Sequence, residues 1–120
     1  ELVKHVSELG KRFVFIDNKN FPDGSIYIIA RVVENVTKPY ESALPRAHTV
    51  DAIMLFLGLT EDLTGMKVEV MLNDKWYTLD SPAAIYIPAH VKHTYRILEG
   101  SGIYMKIVFA PRGDYNAVTY

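Results

Sequence analysis

The apolar residues of this chain come in short runs, spaced about eight to twelve residues apart, and the gaps between them are filled with Gly, Pro, Asn and Asp. RFVFID, SIYIIARVV, VDAIMLFLG, MKVEVML, KWYTL, AAIYIPAHVKHTYRI and IYMKIVFAP follow one another, with turn formers such as NKNFPDGS, Asn73-Asp74 and Gly100 to Gly102 between them. Runs of that length, rich in β-branched and aromatic residues, predict strands, and strands joined by tight turns predict an antiparallel sandwich or barrel. The opening ELVKHVSELGKRF is read differently. Leu2, Val6 and Leu9 stand at i, i+4 and i+7, which predicts a short amphipathic helix ending near Gly10.

The expectation is one domain over 1–120, with a helical segment at 1–12, a barrel at 13–110 and a C-terminal tail at 111–120. With 120 residues the chain is large enough for a real core without staples. Glu1 rather than Met stands first, as expected of a trimmed or processed chain or of a domain taken from a longer protein. The balance of 13 Lys and Arg against 14 Asp and Glu offers no basic surface for nucleic acid and no polybasic helix for a membrane. The longest apolar run, AIMLFLGL, is far short of the ~20 residues of a membrane span. A soluble, cytoplasmic protein is expected.

There is no cysteine, so a metal would have to be held by His, Asp or Glu. The residues that offer themselves are His48, Asp51, His90 and His93. Alternation along HTYRI groups His93 with Tyr95 and Ile97, and places all three inward if the apolar pair is inward. The same rule groups Asp51 with Ile53, Leu55 and Leu57, and a carboxylate at the inner end of so apolar a strand would need a partner. It also puts His48 and Asp51 on opposite faces, against a shared site. Neutral imidazoles with one carboxylate suit a first-row divalent ion: Fe, Mn, Ni, Cu or Zn. The alternative reading makes His90 a loop residue, His48 an exposed residue at the start of a strand, and His93 a core histidine bonded to Asp51.

These residues resemble the two motifs of the cupin superfamily. Asp51, the six residues AIMLFL and Gly58 resemble the end of the first motif, a carboxylate followed by six residues and a glycine, with Asp for the usual Glu. PAHVKH resembles the second, Pro-x-Gly-x-x-His, with Pro88 and His93 in place and His90 where glycine is expected. The resemblance covers about Ser25 to Phe109 and implies an all-β double-stranded β-helix, a jelly-roll-like barrel, with Asp51 and His93 as metal ligands. The His-x-His that usually precedes the first carboxylate is absent. Pro45 and Ala47, or Leu44 and Arg46, stand there, and His48 and His90 restore the number of histidines without the pattern.

Tyr104 and Lys106 share one parity, as do Tyr27 and Arg31. With Tyr95, they are the candidate contacts to a small ligand if they face the barrel; otherwise they belong to a solvated sheet face. Three functions remain open. The first is a metal-dependent enzyme acting on a small polar or carboxylated molecule, of dioxygenase, isomerase or decarboxylase type. The second is a non-catalytic module, attached to another domain, that senses a small ligand or drives dimerisation. The third is a dimerisation scaffold, a homodimer being the expected assembly. NVT at Asn35 and RGD at Arg112 are read as ordinary loop and turn sequence.

Overall fold

The computed structural model describes residues 3–6, 11–39 and 44–120. Among these residues there are eight strands: β1 Val3–Val6, β2 Lys11–Ile16, β3 Tyr27–Val36, β4 Ala52–Gly58, β5 Met66–Leu72, β6 Lys75–Asp80, β7 Ala83–Ile87 and β8 His93–Val108. A 3-10 turn at Pro111–Gly113 and one helical turn, α1 Tyr115–Val118, close the chain. Every strand pairing is antiparallel, in the order β1-β2-β3-β8-β4-β7, and a β6-β5 pair joins the other part of β8. Among the described residues no helix is long and apolar enough to cross a membrane.

β8 ties the two sheets together. Its first part, from His93 to Gly100, pairs with β5, and its last part, from Gly102 to Val108, pairs with β3 on one side and β4 on the other. A straight strand would separate His93 from Lys106 by roughly 43 Å at about 3.3 Å per residue. Their side-chain nitrogens are 2.9 Å apart, so β8 folds back on itself. The reversal falls at Gly100, whose φ of 100° suits glycine and few other residues, with the Gly65 carbonyl 2.0 Å from where a Cβ would stand.

The space between the sheets is filled by one face of each strand. Ala52, Met54 and Phe56 of β4 are buried there, with Val68 and Val70 of β5, Ile97 and Val108 of β8, and Ile29 and Val33 of β3. The C-terminal segment is part of the barrel rather than a tail. Thr49 donates to the Val118 carbonyl and Ala47 to that of Tyr120, so residues 47–49 and 118–120 form a short two-stranded ribbon.

One expected element is corrected. Val3–Val6 is a strand, with Val3 opposite Val14 and Val6 opposite Lys11, and Lys11 and Arg12 belong to β2. A helix of so few residues is marginal alone, whereas pairing with β2 satisfies the backbone of Val3–Val6 along the sheet edge. Residues 7–10, the end of the expected helix, lie outside the described residues.

Candidate functional site

Strand register builds the site row by row. Arg12 of β2 lies opposite Arg31 of β3, Arg31 opposite Tyr104 of β8, and Tyr104 opposite Phe56 of β4. The next row inward along the strands runs Val14, Ile29, Lys106, Met54. Residues directly opposite share a face, so burial of Phe56, Ile29 and Met54 forces Arg31, Tyr104 and Lys106 to the barrel side. The barrel-facing alternative for this parity therefore holds. The result is a cavity of about 200 Å³ whose walls include Arg12, Arg31, Arg46, Lys106 and His93. Tyr27, Tyr95, Tyr104 and Tyr115 complete much of the rest, and none of the described lining residues is acidic.

The aromatic walls are stacked in pairs. Tyr95 lies on Tyr104 with ring centroids 4.1 Å apart, and Tyr27 on Tyr115 at 4.7 Å. Arg12 Nη2 donates to the Tyr27 hydroxyl at 2.9 Å, which fixes that guanidinium at the cavity rim. Burial holds the phenol of Tyr104 well above its ordinary pKa, so it remains a neutral hydroxyl.

At the inner end lies Lys106, 8 % exposed, with Nζ 2.9 Å from Nε2 of His93, which is 2 % exposed. The tautomer of His93 follows from its other nitrogen. Nδ1 is 2.9 Å from the Val91 carbonyl, which can only accept, so Nδ1 carries the proton and Nε2 presents a lone pair to the Lys106 amine. Burial, with the nearby charge of Lys106, lowers the His93 pKa to about 4. Burial, then the positive charges of Arg46 and Arg12, lowers Lys106 to about 7.

His48 is as deeply buried, at 1 %, with its ring centroid 4.9 Å from that of His93. The Thr119 hydroxyl donates to the Tyr115 carbonyl, so it accepts from His48 Nδ1 at 3.0 Å. Nε2 of His48 then bears the lone pair, and it is a buried nitrogen with no hydrogen-bond partner among the described residues. Burial, followed by Lys106, His93 and Arg46, lowers the pKa of this imidazole to about 3.

The other two expected ligands lie elsewhere. Asp51 precedes β4 on the parity of Ile53, Leu55 and Leu57, which is the outer face; the buried residues are Ala52, Met54 and Phe56. Its carboxylate accepts from the Tyr86 hydroxyl and, at 2.8 Å, from the Ala89 N–H, and these bonds lower its pKa. It pins the turn before β8, and neither the inward Asp51 nor a His93–Asp51 bond is found. His90 is exposed, with Nδ1 2.6 Å from the Tyr120 hydroxyl and a φ of 70°. That backbone conformation accounts for the glycine expected at this place in the second motif. His48, read alternatively as exposed, is buried.

Among the described residues no three His, Asp or Glu side chains converge where an ion could sit. The barrel offers two imidazoles, no carboxylate, and an amine already bonded to one imidazole; this donor set does not fit the expected two-motif metal centre. What assembles is a row of cationic and phenolic side chains. All five residues expected to touch a ligand, Tyr27, Arg31, Tyr95, Tyr104 and Lys106, line the cavity. Sequence reasoning missed Arg12, Arg46 and Tyr115. Arg12 stands at the overlap of the expected helical segment 1–12 and the expected strand RFVFID, and alternation through Arg12, Val14 and Ile16 carries the signal that places it beside Arg31.

No family model matches the sequence, and no curated protein matches it. Solved structures do. Oxalate decarboxylase from Bacillus subtilis superposes with a TM-score of 0.70 over 100% of this chain at 10% identity, and the chain spans 30% of that protein's length. Another structure of that decarboxylase is described for its Mn(II) centres. Hydroxypropylphosphonic acid epoxidase from S. wedmorenis gives 0.65 at 16% identity, over 91% of this chain and 56% of the other. KdgF from Halomonas sp. gives 0.60 at 16% identity, over 92% and 86%. A bent β8 shared by two antiparallel sheets, an inward His93 and these neighbours agree on the fold: the chain forms a cupin-like double-stranded β-barrel.

Proposed function

We propose that the protein binds a small carboxylated molecule inside the barrel and acts on it there. One observation carries this reading: a cavity of about 200 Å³ is lined by three arginines and a lysine, with no acidic side chain among its described walls. Guanidinium groups match a carboxylate in a two-bond fork, and their charge is worth more in a partly dry cavity than in water. The volume is below the ~300 to 1,000 Å³ of sites for drug-sized ligands, so the ligand has few heavy atoms. Calorimetric titration with pyruvate, malonate and oxalate at low salt tests it. At least one should bind saturably, and Arg46→Met should weaken it by about 10- to 100-fold, the loss of one charge-assisted hydrogen-bonding group. Arg46 is exposed at its strand bridge to His93, so the fold should survive the change. Equal affinity in wild type and Arg46→Met, or no saturable binding of any of the three, would sink the proposal.

The neighbours support a divalent ion on this fold in general, through the Mn(II) centres of oxalate decarboxylase. The same protein titrated with Mn, Fe, Ni, Cu and Zn ions provides the check. An ion that raises the thermal midpoint in wild type but not in His93→Ala would place metal at the imidazoles, and the anion reading would then need the ion as a partner. The macromolecular partner is a second copy of the chain. The outer face of the β4–β8 pair supports this, since Ile53, Leu55 and Leu57 lie opposite Ile107, Met105 and Ile103 and all six are only half-buried.

A further inference from the structure

Within the cavity, Lys106 is placed differently from the arginines. It sits at the inner end, buried, and its nitrogen meets a neutral imidazole rather than a carboxylate. Among the described residues its only hydrogen bond runs to His93 Nε2, and none of the ion pairs involves it. A buried ammonium used only as a charge would be expected to have an anionic partner. Beside a neutral imidazole, a lysine breaks no ion pair when it gives up its proton. Guanidinium groups are not nucleophiles; a lysine amine is, and of the four cationic side chains on the cavity wall it alone can form a covalent bond to carbon.

We propose that Lys106 forms a Schiff base with a small 2-oxo acid, whose carboxylate is held by the arginines and whose carbonyl is presented to Nζ. This rests on the carboxylate-binding reading above and narrows it to one substrate class. The steps balance without any further reactant. The Lys106 ammonium gives its proton to solvent, and the free amine, positioned by its hydrogen bond to His93 Nε2, attacks the carbonyl carbon. A C–N bond forms while the carbonyl π pair moves to oxygen. A proton passes from that nitrogen to the oxygen, giving the carbinolamine. A proton from solvent reaches the hydroxyl, water leaves, and a protonated imine remains with His93 neutral throughout. The net change is one ammonium and one ketone to one iminium and one water.

The local architecture serves this sequence at two points. The Nδ1–H bond from His93 to the Val91 carbonyl fixes which imidazole nitrogen faces the amine. The stacked Tyr95 and Tyr104 rings close one side of the cavity, which limits the water that would hydrolyse the imine.

Pyruvate as the carbonyl probe and lactate as its non-carbonyl counterpart decide the matter. The whole chain is incubated with pyruvate and sodium cyanoborohydride, which reduces an imine to a stable secondary amine, and the product is mapped by peptide mass spectrometry. The expected result is one carboxyethyl group per chain, on Lys106, formed at least about tenfold faster than on exposed lysines such as Lys19 and Lys75, as expected of an activated buried amine. Lys106→Met should lose the adduct, and where that variant does not fold the wild-type peptide map decides alone. Calorimetric binding of pyruvate and lactate with no adduct at Lys106 overturns the Schiff base and leaves the carboxylate reading standing. Adducts spread over the surface lysines overturn it equally. Failure of both acids to bind, with no adduct, removes the carboxylate reading as well.

Discussion

His48, His93 and Lys106 place three basic nitrogens in one interior, and burial makes each a weaker base than it is in the unfolded chain. The consequence for stability has a definite sign. Between about pH 6.5 and pH 4 the unfolded chain binds protons on both imidazoles that the folded chain refuses, since the folded pKa values are about 3 and about 4. Stability therefore falls as pH falls through this window, by at most about 1.4 kcal/mol per pH unit for each histidine. Lys106 acts in the same direction at higher pH. Its folded pKa of about 7 lies below the unfolded 10.5, so its contribution rises from pH 7 upward. Urea midpoints should climb steadily from pH 4 to pH 6.5, and His93→Gln should make that climb shallower. A midpoint that does not change across the window would show that the imidazoles take up protons in the fold.

At the level of elements, Gly58 explains why the first motif ends in glycine. A Cβ there would stand 1.7 Å from the Thr64 carbonyl oxygen and 2.7 Å from that of Leu63, to which Gly58 itself donates at 2.7 Å. Backbone atoms cannot step aside as a side chain can, so Gly58→Ala should cost about 3 kcal/mol in chemical unfolding. A loss below about 1 kcal/mol would show that the 59–65 loop moves freely. The strands also show how much was legible beforehand. HTYRI alternates polar and apolar residues unequally, and its phase was readable: His93 and Ile97 are inside. In AIMLFL both parities are apolar, so alternation does not tell Ala52, Met54 and Phe56 from Ile53, Leu55 and Leu57, and the expected inward Asp51 lies on the outer face instead. The same ambiguity in IYMKIV left Lys106 undecided until its neighbours on β3 and β4 fixed it. Pairing between distant strands supplies what alternation within one strand lacks.

For the whole molecule, the double apolarity of β4 has a second meaning. A sheet with one face in the core has no internal need for Ile53, Leu55 and Leu57 on the other. Sedimentation at rising concentration should give a dimer, and Leu55→Lys should shift it to monomer without lowering the thermal midpoint of the isolated chain. Monomer at every concentration in wild type would remove the second copy as a partner. The overall architecture was legible from strand spacing and two short motifs, and the cationic cavity only in part. Arg12, Arg46 and Tyr115 come from segments far apart in sequence, and only the closed barrel brings them to Lys106.

The fold-back of β8 also divides the cavity by the chain entropy needed to assemble it. His93 and Lys106 are 13 residues apart on one strand, a short loop to close. Arg12 reaches Lys106 across almost the entire chain, and closing that longer loop costs roughly 2 kcal/mol more. The amine and its imidazole neighbour are thus a local unit that the Gly100 bend assembles, whereas the three arginines reach them from β2, β3 and the segment before β4. Ligand anchoring is the property of the complete barrel, and the placement of Lys106 against His93 is the property of a single bent strand.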